Sequence, residues 1–326
     1  MIKKLQFYLS DTVNPYINLA TEKFLFDTVD SESVILYLWQ NQSTVVIGKN
    51  QNAFSECRTE LLSEEGGRLA RRLSGGGAVF HDLGNLNFTF ISSTDNLDVA
   101  RNMEVIRQAC LLAGITTELS GRNDILANGR KFSGNAFYNS GGRSYHHGTL
   151  LISADMQKLG RYLTPPKAKL ESKGVKSVRS RVINLSELAP DLDCNAMRAH
   201  LLSAAEAVFG LTPVEIKEIA YEKIASHTEY FGSKEFLYGS PIPFNVSCEG
   251  RLPFGSVTLH ISVKDGSIVG IKLYTDALDS EISTAVEEAL TSLPFNLEAI
   301  SDALLRALND SDANALIALL SDQIFS

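Results

Sequence analysis

The sequence Arg71-Arg72-Leu73-Ser74-Gly75-Gly76-Gly77-Ala78-Val79-Phe80-His81-Asp82 lies between two β-rich runs of the chain. Its three consecutive glycines carry no Cβ, so the backbone can adopt positive φ and its N–H groups can approach a ligand closely. The two arginines upstream supply forked, permanently charged donors that match carboxylate or phosphate groups. The pattern predicts an anion-binding loop. A flexible hairpin with solvated arginines is the alternative that fits the same residues.

A second polar segment lies about fifty residues further on, around the pair Asn128-Gly129. This dipeptide is a strong hairpin signal and places Lys131 at the start of the returning strand. Strict alternation along that strand predicts Lys131, Ser133 and Asn135 on one face. A lysine that only keeps an edge strand soluble is the alternative interpretation.

A third segment, Tyr145-His146-His147-Gly148-Thr149-Leu150-Leu151-Ile152, predicts another strand with a polar start and an apolar end. The paired histidines, like His81-Asp82, could indicate a metal site. Adjacent residues of a strand face opposite ways, however, so His146 and His147 are poorly placed to share one metal ion. We therefore expect no histidine metal site.

Composition limits the class of protein. The 326 residues are 44% hydrophobic and 21% charged, with a net charge of −8, and the length is sufficient for two domains. An acidic chain argues against a nucleic-acid partner. Neither a signal peptide nor a run of about 18 apolar residues is present in the sequence, so we expect no membrane segment and a cytoplasmic location. The four cysteines lack CxxC spacing and are expected to be reduced.

One basic island interrupts the acidic chain. Residues 167–181 contain six lysines and arginines and a single acid, Glu171. Gly174 and the β-branched Val175 and Val178 break any helical period, which favours a loop that becomes ordered over an anionic ligand. A solvated basic helix face is the alternative.

The hydrophobic pattern predicts strands interspersed with helices. Predicted strands cover residues 34–39, 44–47, 68–73, 78–80 and 87–91, followed by a meander over 125–152. Predicted helices cover residues 18–27, 59–65, 99–112, 154–162, 194–209 and 213–225. A domain boundary is expected in the loop-rich stretch 239–244, which gives a first domain of residues 1–243 and a small α+β domain of residues 244–326. In that small domain, strands 255–263 and 267–274 flank an Asp265-Gly266 turn and precede helices near 278–290, 297–308 and 312–320.

The chain resembles the lipoate-protein ligases in several ordered motifs. These are Ile47-Gly48-Lys49-Asn50-Gln51-Asn52, Arg71 to Asp82 with Gly84-Asn85-Leu86-Asn87, Gly121-Arg122-Asn123-Asp124, Lys131 to Ala136, His146 to Leu151, and Ser177-Val178-Arg179-Ser180-Arg181-Val182. The likeness runs in order to about Leu185 and more loosely to the end of the chain.

The resemblance implies an α/β (α+β) catalytic fold like that of biotin ligases and class II synthetases, with mixed or antiparallel sheets flanked by helices and a small α+β C-terminal accessory domain. It also implies a two-step reaction with ATP and Mg²⁺. Lipoate is first activated to lipoyl-AMP with release of pyrophosphate, and the lipoyl group then passes to a lysine of an apo lipoyl domain. The implied acceptors are E2 subunits of 2-oxoacid dehydrogenase complexes or the glycine cleavage H protein.

The same resemblance implies roles for individual residues. Lys131 would contact both the lipoyl carbonyl oxygen and the α-phosphate, and Arg72 would neutralise carboxylate and phosphoryl oxygens. Lipoate would also meet the loop residues Ser74, Gly75 and Gly76, and the adenine edge would meet the backbone of Gly77, Ala78, Val79 and Phe80. Weaker candidates are His81, Asp124, Thr149, Lys173 and Arg181. The metal ligands are not identified.

Two other functions fit the resemblance less well. An octanoyl or lipoyl acyltransferase of the same fold would use a cysteine nucleophile without ATP. No cysteine lies in the glycine loop, the Lys131 strand or the His147 strand, and Cys57 is a remote candidate. A non-catalytic lipoyl-adenylate binder is the third interpretation, although Lys131 and the basic island argue against it.

Overall fold

Two units make up the chain, and each is assembled from more than one stretch of sequence. The computed structural model describes residues 2–121, 123–164, 182–240 and 242–325. The first unit comprises Met1–Val46, Glu56–Ala70 and Val79–Leu237, and the second comprises Ile47–Ser55, Arg71–Ala78 and Tyr238–Ser326. The glycine loop therefore groups with the C-terminal part of the chain.

The strands from the N-terminal two thirds are β1 Lys4–Leu9, β2 Ser33–Trp39, β3 Thr44–Ile47, β4 Arg68–Arg71, β5 Val79–His81, β6 Asn85–Ser93, β7 Thr117–Ser120, β8 Asp124–Ala127, β9 Arg130–Ser140, β10 Arg143–Leu151 and β11 Val214–Glu215. The helices there are α1 Pro15–Thr28, α2 Ala53–Glu56, α3 Thr59–Glu64, α4 Val99–Leu112, α5 Met156–Tyr162, α6 Cys194–Phe209, α7 Ala225–Gly232 and α8 Lys234–Tyr238.

The main sheet has eight strands in the order β11-β1-β2-β6-β10-β9-β8-β7. β1 is parallel to both of its neighbours, β11 and β2. All other neighbouring strands in this sheet, from β2-β6 through β8-β7, are antiparallel. The parallel pair β1 and β2 is connected through α1, as a crossover requires. A smaller sheet has the order β4-β3-β5. These mixed sheets with flanking helices confirm the predicted α/β class.

One face of the main sheet forms the apolar core of the first unit. Leu38, Phe88 and Leu150 contribute to it together with residues of α4 and α6, including Ile106 and Leu201. β2 is buried on both faces and is an almost continuous apolar run, whereas β6 and β10 alternate core residues with polar ones on the opposite face.

Tight turns connect the last strands of the sheet as the sequence predicts. Asn128 and Gly129 have φ angles of 50° and 69° between β8 and β9, the left-handed conformation that type I′ turns require at both central residues. Asp265 and Gly266, with φ angles of 50° and 75°, form the equivalent turn in the second unit.

The C-terminal part of the second unit is a three-stranded antiparallel sheet with three helices, as predicted for a small α+β domain. Its elements are β12 Val246–Leu252, β13 Gly255–Lys264, β14 Ser267–Thr275, α9 Ile282–Leu290, α10 Leu297–Ala307 and α11 Asp310–Gln323. β12 was not predicted, because Glu249, Gly250 and Arg251 interrupt its apolar pattern. Gly250 lies so close to α11 that a Cβ there would approach Leu319 Cδ1 to 2.8 Å.

The predicted helix over residues 213–225 is wrong. Val214–Glu215 forms the edge strand β11, and Ile216 N–H donates to Phe7 O at 2.8 Å. A 3₁₀ turn, Tyr221–Lys223, follows, and helix begins only at Ala225. Pairing with the open edge of β1 outweighed the weak helical preference of the segment, whose β-branched Val214 and Ile216 also suit a strand.

Candidate active site

Lys131 and Asp124 form an ion pair at the β8–β9 hairpin. Lys131 Nζ lies 2.6 Å from Asp124 Oδ1, and each side chain is about one third exposed, at 37% and 35%. A Cβ on Gly134 would lie 3.1 Å from Lys131 Nζ, so the glycine leaves room for the ammonium group. Thr149 Oγ1 accepts a hydrogen bond from Gly134 N–H at 3.4 Å. Three predicted site residues, Lys131, Asp124 and Thr149, therefore lie together.

A β-bulge corrects the predicted orientation of Lys131. Lys131 pairs with Leu126, whereas Ser133 pairs with Ile125, which leaves Phe132 as the extra residue. Because Ile125 and Leu126 alternate, Lys131 faces the side opposite to Ser133 and Asn135, not the same side. The bulge buries Phe132 in the core and directs Lys131 away from it.

The sheet face that carries Thr149 bears buried polar side chains beside apolar ones. Cross-strand pairing places Trp39, Asn87 and Thr149 in one row across β2, β6 and β10. Asn87 is 1% exposed, and its Nδ2 has no hydrogen-bond partner among the described residues. A row of buried polar groups on one face of an otherwise apolar sheet is typical of a ligand site rather than of a core.

A buried hydrogen-bond network occupies the adjacent row. Glu22 Oε1 accepts from Thr89 Oγ1 at 2.7 Å and lies 2.9 Å from His147 Nδ1, and Trp39 Nε1 donates to Thr89 Oγ1 at 3.1 Å. Glu22 and Trp39 were not among the site residues predicted from sequence. A glutamate within the apolar helix α1 and the single tryptophan of the chain were the available signals.

His146 faces the opposite side of the sheet from His147, as predicted. Its ring stacks on Phe137 and Phe90, with centroid distances of 4.8 and 6.2 Å. Burial, and secondarily the neighbouring His147, lowers the pKa of His146 to about 3. Among the described residues no group of three or more His, Cys, Asp or Glu side chains is arranged to hold a metal ion.

The arginines of the glycine loop are buried, so the alternative of solvated arginines is wrong. Arg72 Nη2 donates to Gly75 O at 2.7 Å and to Gly77 O at 2.8 Å, and its Nε donates to Ser74 Oγ at 3.0 Å. Arg71 Nη1 donates to carbonyl oxygens of the preceding loop, those of Gly48, Lys49 and Gln51. The Arg72 guanidinium group thus holds Ser74, Gly75 and Gly77 of the loop by hydrogen bonds.

The glycine loop packs tightly against the segment that follows β14. Gly76 N–H donates to Ala277 O at 2.8 Å, and a Cβ on Gly75 would approach Ala277 O to 2.3 Å and Leu278 O to 2.6 Å. Lys49 Nζ pairs with Glu281 Oε1 at 2.7 Å nearby. Only glycine permits this approach at position 75.

The remaining predicted residues lie at β5 or outside the described ranges. Ala78 ends the glycine loop, and Val79–His81 pairs with β3. Phe80 is buried against Tyr162, and the His81 ring lies edge-on to Trp39 at 6.0 Å. Lys173 and Arg181 of the basic island lie outside the described residues. Val182 forms a parallel bridge with Lys131, and Ile183 N–H donates to Lys131 O at 2.9 Å.

The cysteines are poor nucleophiles at neutral pH. Burial raises the pKa of Cys57, Cys194 and Cys248 to about 11 and that of Cys110 to about 12. All four are free thiols. A thiolate is the reactive form, so these groups lack the activation of a catalytic cysteine.

Sequence comparison identifies two family domains. Residues 14–206 match the lipoyl protein ligase A/B catalytic domain, and residues 242–320 match the bacterial lipoate protein ligase C-terminus. A lipoate-protein ligase A of Bdellovibrio bacteriovorus is 38% identical over 314 residues, which is 93% of this chain and 92% of that protein. One of Psychrobacter cryohalolentis is 40% identical over 317 residues, 93% and 94% of the two chains.

Solved structures of lipoate ligases superpose on this chain. P. falciparum LipL1, in complex with lipoate, superposes with a TM-score of 0.86 at 27% identity and covers 98% of this chain and 99% of its own. A bi-partite lipoate protein ligase from Thermoplasma acidophilum, studied with its E2 lipoyl domain, gives 0.64 at 25% identity and covers 76% of this chain and 100% of its own. The fold, the two matched domains and the full-length relatives agree, and the chain belongs to the lipoate-protein ligase family.

Proposed function

We propose that this ligase activates free lipoate with ATP and transfers the lipoyl group to a lysine of an acceptor protein. A lipoate carboxylate oxygen attacks the α-phosphorus of ATP, the bond to the β-phosphate breaks, and pyrophosphate leaves. The ε-amine of the acceptor lysine then attacks the acyl carbon, loses a proton and expels AMP. The observation that carries the proposal is the Lys131 ammonium group held by Asp124 beside a polar sheet face.

The positive charge of Lys131 would reduce the electrostatic repulsion between the two reactants of the first step. Two anionic reactants must approach each other, and a fixed ammonium group between the carboxylate and the α-phosphate lowers that repulsion. Asp124 Oδ1 lies 2.6 Å from Lys131 Nζ and would hold the ammonium group in place for the reactants. Thr149 Oγ1 accepts a hydrogen bond from Gly134 N–H. Its own O–H can then donate to a phosphoryl or acyl oxygen.

Mg²⁺ would accompany the ATP phosphates. The described residues provide no dedicated cage, and this suits an ion that keeps several waters and binds one or two carboxylates together with substrate phosphates. Asp124 is the carboxylate we assign to it. When bound, the ion would neutralise charge on the leaving pyrophosphate.

In the glycine loop, we propose that Arg72 acts mainly by shaping the backbone. Its guanidinium group is engaged by Ser74 and by loop carbonyls, so the loop rather than a free arginine presents donors to lipoate. The backbone of residues 77–80 is proposed to bind the adenine edge. Lys173 and Arg181 remain proposed contacts of the adenylate.

The substrates and partners follow from family and from the site. The relative P. falciparum LipL1 is in complex with lipoate, and the archaeal relative was studied with its E2 lipoyl domain, which supports lipoate and apo lipoyl-domain proteins as partners here. The glycine cleavage H protein is a second proposed acceptor. No helix among the described residues has the length and apolar character needed to cross a bilayer. We propose a cytoplasmic enzyme in which residues 1–243 carry catalysis and residues 244–326 are accessory.

Pyrophosphate release from ATP and lipoate, without acceptor, tests the proposal. Lys131→Ala should lower this rate by on the order of 10²-fold or more, the usual loss when an electrostatic group at a reacting centre is removed. Lys264→Ala, which removes an exposed lysine at the end of β13, is the matched control and should retain the rate. A Lys131→Ala enzyme that releases pyrophosphate at the wild-type rate would contradict the assignment.

A further inference from the structure

A reciprocal hydrogen-bond clamp holds the segment that precedes Asp124. Asn135 donates to Asn123 O through its backbone N–H at 2.9 Å and through its side-chain Nδ2 at 3.0 Å. In return, Asn123 Nδ2 donates to Asn135 O at 2.9 Å. Three hydrogen bonds between two residues twelve positions apart fix the entry of the chain into β8.

The orientation of the Asn135 amide determines which nitrogen of His146 carries the ring proton. A carbonyl oxygen can only accept, so the amide nitrogen of Asn135 must face Asn123 O and Oδ1 must face away. Oδ1 lies 2.9 Å from His146 Nε2, and Nε2 must therefore carry the ring proton and donate. His146 Nδ1 is then an acceptor, and it is buried without a hydrogen-bond partner among the described residues.

The close packing of β9 and β10 confines this arrangement. A Cβ on Gly148 would lie 2.9 Å from Asn135 Oδ1 and 2.6 Å from Phe88 Cζ, so the glycine allows the amide to reach the histidine. The His146 ring is held between Phe90 and Phe137. An imidazole held in one plane with one tautomer is a rigid donor.

The clamp and the candidate active site lie on opposite faces of the same strands. Asn135 and His146 face the apolar core, whereas Asp124 pairs with Gly134 and faces the side on which Lys131 lies. Any shift of Asn123 along β9 moves the adjacent Asp124 carboxylate. Because that carboxylate holds Lys131 Nζ at 2.6 Å, the shift would also move the ammonium group.

We propose that His146 is a positioning residue for adenylation, acting through Asn135 and Asn123 to hold the Asp124 and Lys131 pair in register. The inference rests on the proposed function. In this role His146 makes no contact with substrate. A core histidine that only fills space could be replaced by another ring, whereas here the Nε2–H is required to hold Asn135 Oδ1.

Three variants separate donation from packing. His146→Phe keeps a flat ring between Phe90 and Phe137 but removes the donor, so Asn135 Oδ1 is left buried without its hydrogen bond and the hold on the Asn135 side chain weakens. His146→Gln restores an N–H donor without the ring. Leu150→Ala, on the core face of the same strand, costs packing without touching the clamp, which makes it the matched control for lost stability.

Each variant is assayed for pyrophosphate release, per folded molecule, and for amide hydrogen exchange in peptides covering residues 123–135. His146→Phe should lower kcat by about 10- to 100-fold with little change in KM for ATP, since a misplacement of about 1 Å has effects of this size. Exchange in the clamp should be faster. His146→Gln should recover most of the rate, and Leu150→Ala should retain both the rate and slow local exchange.

Pyrophosphate release and hydrogen exchange together distinguish failure of the positioning role from failure of the proposed function. If the wild type releases pyrophosphate and His146→Phe is equally active, or if exchange at residues 123–135 is unchanged, the positioning role is wrong while the proposed function stands. An equal rate loss in Leu150→Ala would also overturn it. If the wild-type protein releases no pyrophosphate from ATP and lipoate, the proposed function fails, although the exchange data would still show whether the clamp depends on the donor.

Discussion

At the scale of single residues, the glycine loop shows how the use of a charge depends on distant parts of the chain. Paired arginines next to three glycines predict donors for an anion, and in the structure the arginines are buried and hydrogen-bonded within the loop region. Arg72, however, is 7% exposed and donates to its own loop carbonyls. A carbonyl presented by a folded loop is not visible in a local motif, so sequence could identify the loop but not the partner of its arginine.

Gly75 should be irreplaceable, whereas Gly77 should not. A Cβ at position 75 would lie 2.3 Å from Ala277 O, while one at position 77 would meet nothing within 4 Å. Gly75→Ala should lower the free energy of unfolding by about 1–3 kcal/mol, the usual cost of overpacking. Gly77→Ala should be neutral or slightly stabilising. Urea unfolding of both variants measures the difference, and equal stabilities would contradict the close approach.

His146 should make the protein less stable in mild acid. Its pKa in the folded state is about 3, below the usual 6.5, so the unfolded chain binds the proton more readily. The stability contribution is complete above pH 6.5 and is lost as pH falls through 6.5 toward 3. Between about pH 7.5 and about pH 5 the wild type should lose about 2 kcal/mol more than His146→Gln, which does not titrate. Urea unfolding at both values checks this; parallel losses would mean that His146 is not buried neutral.

At the scale of elements, the hairpin of β8 and β9 separates what local sequence predicts from what it does not. The Asn128-Gly129 turn was predicted correctly because positive φ at two consecutive residues has a clear sequence signature. The bulge at Phe132 has no such signature, because it arises when the core takes Phe132 and shifts the register against Ile125. The sequence therefore predicted the location of Lys131 but assigned it to the wrong face.

Two matched turns allow a test of this element. Asn128 and Asp265 both have φ of 50° in type I′ turns, a conformation that alanine adopts only with strain. Asn128→Ala and Asp265→Ala should each destabilise the protein by about 1 kcal/mol. Hydrogen exchange should show faster opening of β8 and β9 in the first variant and of β13 and β14 in the second. Faster exchange in the opposite hairpin would contradict a local effect.

At the scale of the whole molecule, we expect none of the four thiols to act as a nucleophile. Their pKa values of about 11 to 12 leave almost no thiolate at neutral pH. A variant with alanine at Cys57, Cys110 and Cys248 and serine at Cys194 should keep ATP-dependent lipoylation once its folding is confirmed by circular dichroism, although loss of buried sulfur will lower its melting temperature. A folded but inactive variant, together with an acyl thioester on the parent protein, would favour the acyltransferase.

The contact of the glycine loop with the segment after β14 also sets an order of events during synthesis. Gly76 donates to Ala277 O, and Asn50 Nδ2 donates to Ser280 O at 2.9 Å, so partners about 200 to 230 residues apart must meet. During translation the loop emerges long before its acceptors leave the ribosome. Because contacts between such distant residues form late, the nascent chain carries an unfinished glycine loop for most of its elongation. A nascent chain stalled before residue 277 would therefore hold this loop without its partners, and the loop is completed only after about 200 further residues have been added.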